Sequence, residues 1–250
     1  MKACFFTFLT DSYRELIQFD LFEKSLKHFH PEIPLIVFGQ NEINEIITQN
    51  PGVNMFKIKA TAAKTLYNDY DLVINIDADH FIFGRFDEIL ANDYDVAAPS
   101  NYNNYENVSL SINSYLNNNY QIVSELSYIQ AGLIASGNKS FWDTYEIACL
   151  RHVSYLTCAD NDILNLVLQF GNFKFKLLDG VPSLNSPKRK CFYGCSSLNL
   201  ENNIVIINDR PHLNGVPVKA YHVAKGSSKQ KFDTIFNSDV VEWFHKTINS

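Results

Sequence analysis

Residues 72–80 read LVINIDADH, a short apolar run that ends in two aspartates. Branched apolar residues on both sides of Asn75 are typical of a β-strand that is covered on both faces. In open α/β sheets, ligands bind outside the carboxyl ends of strands, which is where Asp77 and Asp79 stand. Side chains at positions i and i+2 of an extended backbone point the same way, so both carboxylates can reach one divalent cation. The alternative interpretation is a solvated turn cap.

The chain before this run alternates between strand and helix patterns. Short apolar runs are followed by stretches in which apolar residues recur at helical spacing, and Gly39 closes the second run. The predicted order is strand 3–9, helix 16–29, strand 34–39, helix 42–48, strand 54–59, helix 60–69 and strand 72–76. This alternation predicts an α/β fold in which helices cover both faces of a mostly parallel sheet.

Length and composition favour one domain. The 250 residues, 46% hydrophobic and 19% charged, fit a single large α/β domain over residues 1–250. No internal repeat is evident, and no linker rich in Pro, Gly or Ser divides the chain.

Charge and apolar patterning argue against two classes of protein. Twenty-one Lys and Arg against 27 Asp and Glu give a net charge of −6, so no positive field attracts nucleic acid. The apolar runs are far shorter than the ~20 residues of a membrane span. The N-terminal run is broken at Thr7 and lacks a signal-peptide cleavage site.

Five scattered cysteines without metal or disulfide spacing predict a reducing, cytoplasmic location.

Three other acidic-x-acidic triplets occur, at 69–71, 93–95 and 160–162. The triplet at 77–79 is distinguished by its place directly after a buried strand, where side chains are aimed into a cleft. We therefore predict the metal site at Asp77 and Asp79.

Several segments resemble, in chain order, the retaining GT-A glycosyltransferases of family 8, the glycogenin and galactosyltransferase type. The matching segments are TFLTDSY at 7–13, KTL at 64–66, YD at 70–71, IDAD at 76–79, QAGLI at 130–134, DNDILN at 160–165 and YHVAKGSSK at 221–229. The resemblance implies a GT-A fold, a single Rossmann-like α/β/α domain with a mixed central sheet. Residues 1–100 would form a nucleotide-binding half that ends in the Asp-x-Asp motif, and residues 101–250 an acceptor- and sugar-binding half.

The resemblance also implies a set of site residues. A divalent ion, Mn²⁺ with Mg²⁺ as the alternative, is expected on Asp77, Asp79 and His222. Asp160, Asn161 and Gln130 are expected to act in catalysis. The expected nucleotide contacts are Phe8, Thr10, Tyr13 by stacking on the base, Lys64, Ala78, Gly226 and Lys229. The expected sugar contacts are Ala131 and Gly132.

Structural interpretations of several of these residues stay open at this point. Tyr13 stands at a helix start, and Asp160 could cap a helix over 163–170. His222 could be a hydrogen-bonded histidine at the end of a strand over 218–221. Lys225 and Lys231 are rivals of Lys229 in the same stretch. Residues 100–120, rich in Asn and Tyr, predict either an acceptor-binding loop or a plain surface insertion.

Departures from the family pattern leave the sugar open. Gln130 stands where the family has Asn, and Asn161 where it has Gln. The terminal motif has one extra residue between His222 and Gly226 and lacks the Pro-Trp that follows its Lys.

The function that the resemblance implies is metal-dependent transfer of a hexose from a UDP-sugar to an unidentified acceptor glycan, with retention of anomeric configuration.

Alternatives to this function differ in what they require. A nucleotide-sugar or glycan-binding protein of the same fold would bind UDP with metal but consume no donor. A sugar-nucleotide pyrophosphorylase would need a Gly-rich loop after the first strand, and residues 10–13 contain no Gly. A haloacid-dehalogenase-type phosphatase would need a Thr or Val shortly after a following Gly, which residues 80–82 do not supply. The oligomeric state is left open.

Overall fold

The computed structural model describes residues 1–15, 17–51, 58–100, 128–152, 159–179, 188–195, 199–223 and 231–250. The predicted nucleotide contacts Gly226 and Lys229 lie outside the described residues, as does nearly all of the Asn- and Tyr-rich stretch at 100–120. Within the described parts of the chain, no helix is both long and apolar enough to cross a membrane.

Strands and helices alternate through the first part of the chain. They are β1 (Ala3–Leu9), α1 (Asp11–Arg14), α2 (Phe19–Phe29), β2 (Leu35–Gly39), α3 (Gln40–Gln49), α4 (Ile58–Leu66), β3 (Leu72–Ile76), β4 (His80–Ile82), α5 (Asp87–Leu90) and β5 (Val96–Ala98). After them come β6 (Leu133–Ser136), α6 (Lys139–His152), α7 (Ala159–Phe170), β7 (Phe175–Leu177), β8 (Phe192–Cys195), a 3₁₀ turn (Glu201–Asn203), β9 (Ile204–Ile207), β10 (Arg210–Leu213), β11 (Val216–His222), α8 (Phe232–Ile235) and α9 (Ser238–Ile248).

Six strands form a central sheet in the order β2-β1-β3-β6-β5-β7. β1 pairs in parallel with β2 and β3, whereas β6 is antiparallel to β3 and β5, so the sheet is mixed. A second sheet has the order β4-β11-β10-β9, with β8 parallel to β11. The predicted α/β class, the mixed sheet and the strands at 3–9, 34–39 and 72–76 are confirmed.

The predicted strand at 54–59 is wrong where the structure describes it. Ile58 and Lys59 are the first residues of α4. Every residue from Ile58 to Ala63 is buried, so this part of the helix is covered on all sides. A helix buried all round lacks the alternation of apolar and polar residues that marks a surface helix.

Three apolar clusters surround the two sheets. One face of the central sheet packs against α4, α6 and α7, and the other face packs against α2. The third cluster lies between the second sheet and helices α8 and α9, and aromatic rings dominate it. The short segment between β3 and β4 therefore passes from one sheet to the other, with a packed cluster on each side.

Candidate functional site

The segment between β3 and β4 brings two carboxylates to the junction of the sheets. The Asp77 N–H donates to the Gly132 carbonyl (2.8 Å), just before β6, and the Val223 N–H donates to the Asp79 carbonyl (3.0 Å), just after β11. Backbone hydrogen bonds to both sheets thus fix the segment at either end. The next residue, His80, begins β4 and lies directly opposite His222 on β11.

Asp77, Asp79 and His222, the three residues predicted to bind a metal ion, lie close together. His222 Nε2 lies 3.0 Å from Asp79 Oδ1 and 3.9 Å from Asp77 Oδ2. The Asp79 side chain is only 6% exposed, and its Oδ1 is the oxygen that faces the His222 imidazole. A buried carboxylate oxygen is costly unless a donor or a cation faces it.

Burial and the contact between His222 and Asp79 shift the pKa values of the titratable groups at this site. Burial lowers the pKa of His222, but the adjacent Asp79 carboxylate outweighs burial and holds that pKa well above its ordinary value. Burial raises the pKa of Asp79, but His222 outweighs it and brings the pKa down to about 2. Burial lowers the pKa of His80 to about 3, so its imidazole is neutral near pH 7.

Lys59 is the charged residue of this site that the sequence analysis missed. Its Nζ lies 2.9 Å from Asp77 Oδ1 and 2.8 Å from Asp160 Oδ2, and it donates to the Ala131 carbonyl (2.8 Å). Burial lowers the pKa of Lys59, but Asp160 and Asp77 outweigh burial and raise it overall. The signal was a lysine inside an otherwise uncharged run, residues 58–63, which a strand assignment concealed.

The structure does not bring Lys64 to this site. Lys64 Nζ lies 2.6 Å from Glu146 Oε2 and 3.3 Å from Asp143 Oδ1, both on α6. Five residues separate Lys64 from Lys59 on α4, and at 3.6 residues per turn their side chains leave the helix in directions about 140° apart. The ammonium that reaches the Asp77 carboxylate is therefore that of Lys59.

Gln130 and Gly132 position the His222 imidazole. The Gln130 Oε1 lies 3.0 Å from Nδ1 of His222 and accepts its hydrogen. With Nδ1 protonated, Nε2 is the nitrogen that faces the carboxylates. A Cβ at Gly132 would lie 2.7 Å from Cε1 of His222, closer than such atoms approach, so only glycine leaves room for the ring.

The start of α7 holds the segment 130–132, just before β6, that contacts these groups. The helix begins at Ala159, ahead of the predicted start at 163, so Asp160 lies in its first turn and is not the N-cap. Asp160 Oδ1 accepts from the Asn161 N–H (3.0 Å), and Asn161 Oδ1 accepts from the Ala131 N–H (2.6 Å). Asn161 therefore binds the backbone beside the site, and the carboxylate of Asp160 binds Lys59.

The residues after β1 also reach the site. Tyr13 donates its hydroxyl hydrogen to Asp79 Oδ2 (2.6 Å). Burial, and after it the Asp79 charge, raise the pKa of Tyr13, so the hydroxyl keeps its proton. Thr10 caps α1 by accepting from the Tyr13 N–H (3.1 Å). Half-buried Phe8 stacks on Phe38 at 5.6 Å, and Ala78 is buried between the two aspartates.

The charge of the site fits a divalent cation. Three carboxylates, those of Asp77, Asp79 and Asp160, face the Lys59 ammonium and one imidazole. When a metal ion displaces the proton from the imidazole, three carboxylates and one ammonium leave two negative charges, which is the charge that one divalent ion neutralises. Carboxylate oxygens with imidazole nitrogen form a donor set suited to Mn²⁺ and neighbouring transition metals.

Two of the rival triplets have structural partners instead. Asp71 Oδ2 accepts from the Lys2 N–H (2.7 Å), and Asp95 Oδ2 accepts from the Lys174 N–H (2.8 Å). Asp93 is exposed and paired with Lys176 at 2.7 Å. Neither triplet combines buried carboxylates with an imidazole in the part of the chain that the structure describes.

No protein-family model and no curated protein sequence matches the chain. Solved structures do match it. The chain is similar to the galactosyltransferase LgtC in complex with donor and acceptor sugar analogues, with a TM-score of 0.57 and 15% identity over 99% of this chain and 95% of LgtC. The glycosyltransferase GlyE of Streptococcus pneumoniae matches in its apo form with a TM-score of 0.55 and 14% identity, over 100% of this chain and 62% of that chain.

Mouse xyloside xylosyltransferase 1, also in its apo form, has a TM-score of 0.54 and 6% identity, over 91% of this chain and 99% of that chain. Since the identities are this low, the likeness is one of fold. The fold predicted from the resemblance, that of the GT-A glycosyltransferases, is confirmed.

Proposed function

We propose that the protein is a metal-dependent glycosyltransferase that moves a hexose from a UDP-sugar to an acceptor glycan with retention of configuration. The observation that carries the proposal is the convergence of Asp77, Asp79 and His222 at the carboxyl end of β3, in a fold shared with glycosyltransferases. The LgtC structure was determined with donor and acceptor sugar analogues, which supports the same two classes of substrate here.

Asp77, Asp79 and His222 would hold the divalent ion. When bound, the ion supplies positive charge that stabilises the diphosphate as it departs from the sugar. Tyr13 fixes the Asp79 carboxylate through Oδ2 and leaves Oδ1 for the ion, while Gln130 fixes the imidazole through Nδ1. Each protein group is thus oriented before substrate arrives, which lowers the reorganisation needed in the transition state.

Lys59 acts as a positioning residue in this scheme. By binding Asp77 and Asp160 together, its ammonium sets the distance between the metal side of the site and the start of α7. Asp160 would stabilise positive charge that develops at the anomeric carbon, and Asn161 would help to bound the sugar pocket. Because Lys59 is buried, this spacing is held with little freedom.

Retention requires the acceptor to attack from the face that the diphosphate leaves. The bond between the anomeric carbon and the phosphate oxygen breaks, and a bond from the acceptor oxygen to that carbon forms. The departing phosphate takes the acceptor proton, so no protein base is needed. This route follows from the resemblance to family 8 and is consistent with the engagement of all three nearby carboxylates by Lys59 or His222.

A binding protein of the same fold is the second candidate. The observation that favours it is that the amide oxygens of Gln130 and Asn161, the two departures from the family pattern, are occupied by His222 and the Ala131 backbone. Such a protein would bind UDP with metal and leave the donor intact.

The test is release of nucleoside diphosphate from UDP-, GDP- and dTDP-sugars, each with Mn²⁺ or with EDTA. Retaining transferases transfer sugar slowly to water, so we expect Mn²⁺-dependent release from one UDP-sugar and none from Asp79→Asn. Asp93→Asn is the matched control, because Asp93 is a surface carboxylate paired with Lys176. Equal release in EDTA contradicts metal dependence. Mn²⁺-dependent UDP binding without release from any donor supports the binding protein.

A further inference from the structure

A second histidine faces the same site. His80 on β4 is the direct cross-strand partner of His222 on β11. Their rings lie parallel, 4.4 Å apart with planes inclined by 4°. The predicted metal set of Asp77, Asp79 and His222 did not include His80, although it directly follows the Asp-x-Asp motif.

A hydrogen bond from Nδ1 to an oxygen atom orients each of the two imidazoles. Nδ1 of His80 lies 2.8 Å from the Asp77 carbonyl oxygen, and Nδ1 of His222 lies 3.0 Å from Gln130 Oε1. Because both partners are oxygen acceptors, each Nδ1 carries a hydrogen, and Nε2 is the nitrogen of each ring that a metal ion can bind once it has no proton. Metal-binding histidines in proteins are usually fixed in this way, with the second nitrogen donating to a carbonyl or carboxylate.

Both imidazole rings also pack against Gly132. A Cβ at Gly132 would meet Cε1 of His222 at 2.7 Å and Cε1 of His80 at 3.2 Å. The same glycine therefore gives room to both imidazoles, which places both rings against the short segment that precedes β6.

The Asp77 and Asp79 carboxylates have different charged neighbours. Both oxygens of Asp77 lie close to Lys59 Nζ, at 2.9 Å and 3.1 Å. Asp79 Oδ1, by contrast, is buried and lies 3.0 Å from His222 Nε2, which a metal ion can take in place of the imidazole proton. One oxygen of Asp79 and one nitrogen each of His80 and His222 lie within 4.8 Å of one another.

We propose that His80 is a further direct ligand of the metal ion beside Asp77, Asp79 and His222, so that two imidazoles bind it. A metal–nitrogen bond lies in the plane of the ring, so binding tilts one imidazole out of the parallel stack. The inference rests on the proposed function for the identity of the remaining ligands, the diphosphate oxygens. A second imidazole changes the metal preference, because nitrogen donors favour Mn²⁺, Co²⁺ and Zn²⁺ over Mg²⁺. The site is therefore expected to discriminate strongly against Mg²⁺.

Pulsed electron paramagnetic resonance of bound Mn²⁺ tests this on the full chain labelled with ¹⁵N-histidine. Two coordinated histidine nitrogens are expected in the wild type, and one in His80→Asn. The asparagine amide can still donate to the Asp77 carbonyl in place of Nδ1, so the variant keeps the structural hydrogen bond and loses only the ligand. His28→Asn, an exposed histidine on α2, is the matched control and keeps two nitrogens.

Titration with Co²⁺ and Mg²⁺ gives the second readout. His80→Asn is expected to weaken Co²⁺ binding at least about tenfold and Mg²⁺ binding far less, while its melting temperature stays within a few degrees of the wild type. One coordinated nitrogen in the wild type, unchanged in His80→Asn, would overturn the inference and leave the proposed function standing. Two nitrogens without any donor turnover would uphold the ligand set and count against the proposed function.

Discussion

The two faces of the β4–β11 strand pair are built from opposite chemistry, although they alternate residue by residue along the same strands. His80 and His222 face the carboxylates, whereas their neighbours Phe81 and Tyr221 belong to the aromatic cluster with Phe232. One face is stabilised by apolar burial, and the other buries charges that need partners. Apolar burial on the aromatic face therefore offsets the cost of burying charged groups on the other face of the same two strands.

The largest effect is expected on the aromatic face. Phe232 is fully buried and its ring lies within 4.3–4.8 Å of the Phe244, Phe81 and Phe236 ring centroids. Phe232→Ala should lower the free energy of unfolding by about 3–5 kcal/mol, measured by urea denaturation. Phe170→Ala, at a position 49% exposed, is the control and should change it little.

We expect the fraction of Phe232→Ala that stays folded to bind Mn²⁺ as tightly as the wild type, because Phe232 packs in the aromatic cluster on the other face. Loss of Mn²⁺ binding in that folded fraction would show that the two faces are not independent.

Removal of one charge from the charged face is expected to lower the free energy of unfolding by nearly as much. Lys59→Met leaves Asp77 and Asp160 buried without their cation and should cost about 3 kcal/mol of unfolding free energy. Lys64→Met is the matched control on the same helix. Its ammonium is one-third exposed and pairs at the surface with α6, so its loss should cost less than about 1 kcal/mol. Similar losses in both variants would contradict the central place given to Lys59.

A smaller effect is expected at Tyr13. Its hydroxyl holds Asp79 Oδ2 and so orients Oδ1 toward the ion. Tyr13→Phe should weaken Mn²⁺ binding about tenfold in calorimetry, a typical loss when a group that orients a ligand is removed. Unchanged or tighter binding would show that the hydroxyl competes with the ion instead of orienting its ligand.

The smallest effect concerns His30, a buried histidine that packs against the rings of Phe5 and Phe86. Burial lowers its pKa to about 4, the opposite of the shift at His222. The unfolded chain therefore binds the proton more readily, and stability is lost as pH falls from about 6.5 towards 4. His30→Gln should remove about 1 kcal/mol of the wild-type loss between pH 7.5 and pH 5.5. Equal losses in both proteins would contradict the assignment.

The sequence predicts those elements whose pattern of apolar and polar residues matches their burial in the folded protein. β1, β2 and β3 are short apolar runs between turns, and the carboxyl end of β3 follows from the order of elements. Asp77, Asp79 and His222 could be predicted as a group because the family motifs preserve their order along the chain.

What the sequence could not predict depends on tertiary contacts. Lys59 lies in a helix that is buried all round, so no periodicity distinguishes it from a strand. β4 is three residues long, too short to show alternation, and the face that His80 occupies is set by pairing with β11. The contact between Gln130 Oε1 and His222 Nδ1 likewise depends on how β11 lies against the segment before β6.

Calorimetry of UDP binding with Mn²⁺ or with EDTA, in the wild type and in Asp79→Asn, shows whether the charged face binds metal and nucleotide together. We expect UDP to bind the wild type only when Mn²⁺ is present, and Asp79→Asn to lose this binding while it melts as cooperatively as the wild type. UDP binding of equal strength in EDTA, or unchanged Mn²⁺-dependent binding in Asp79→Asn, would contradict the assignment of the charged face as a metal and nucleotide site.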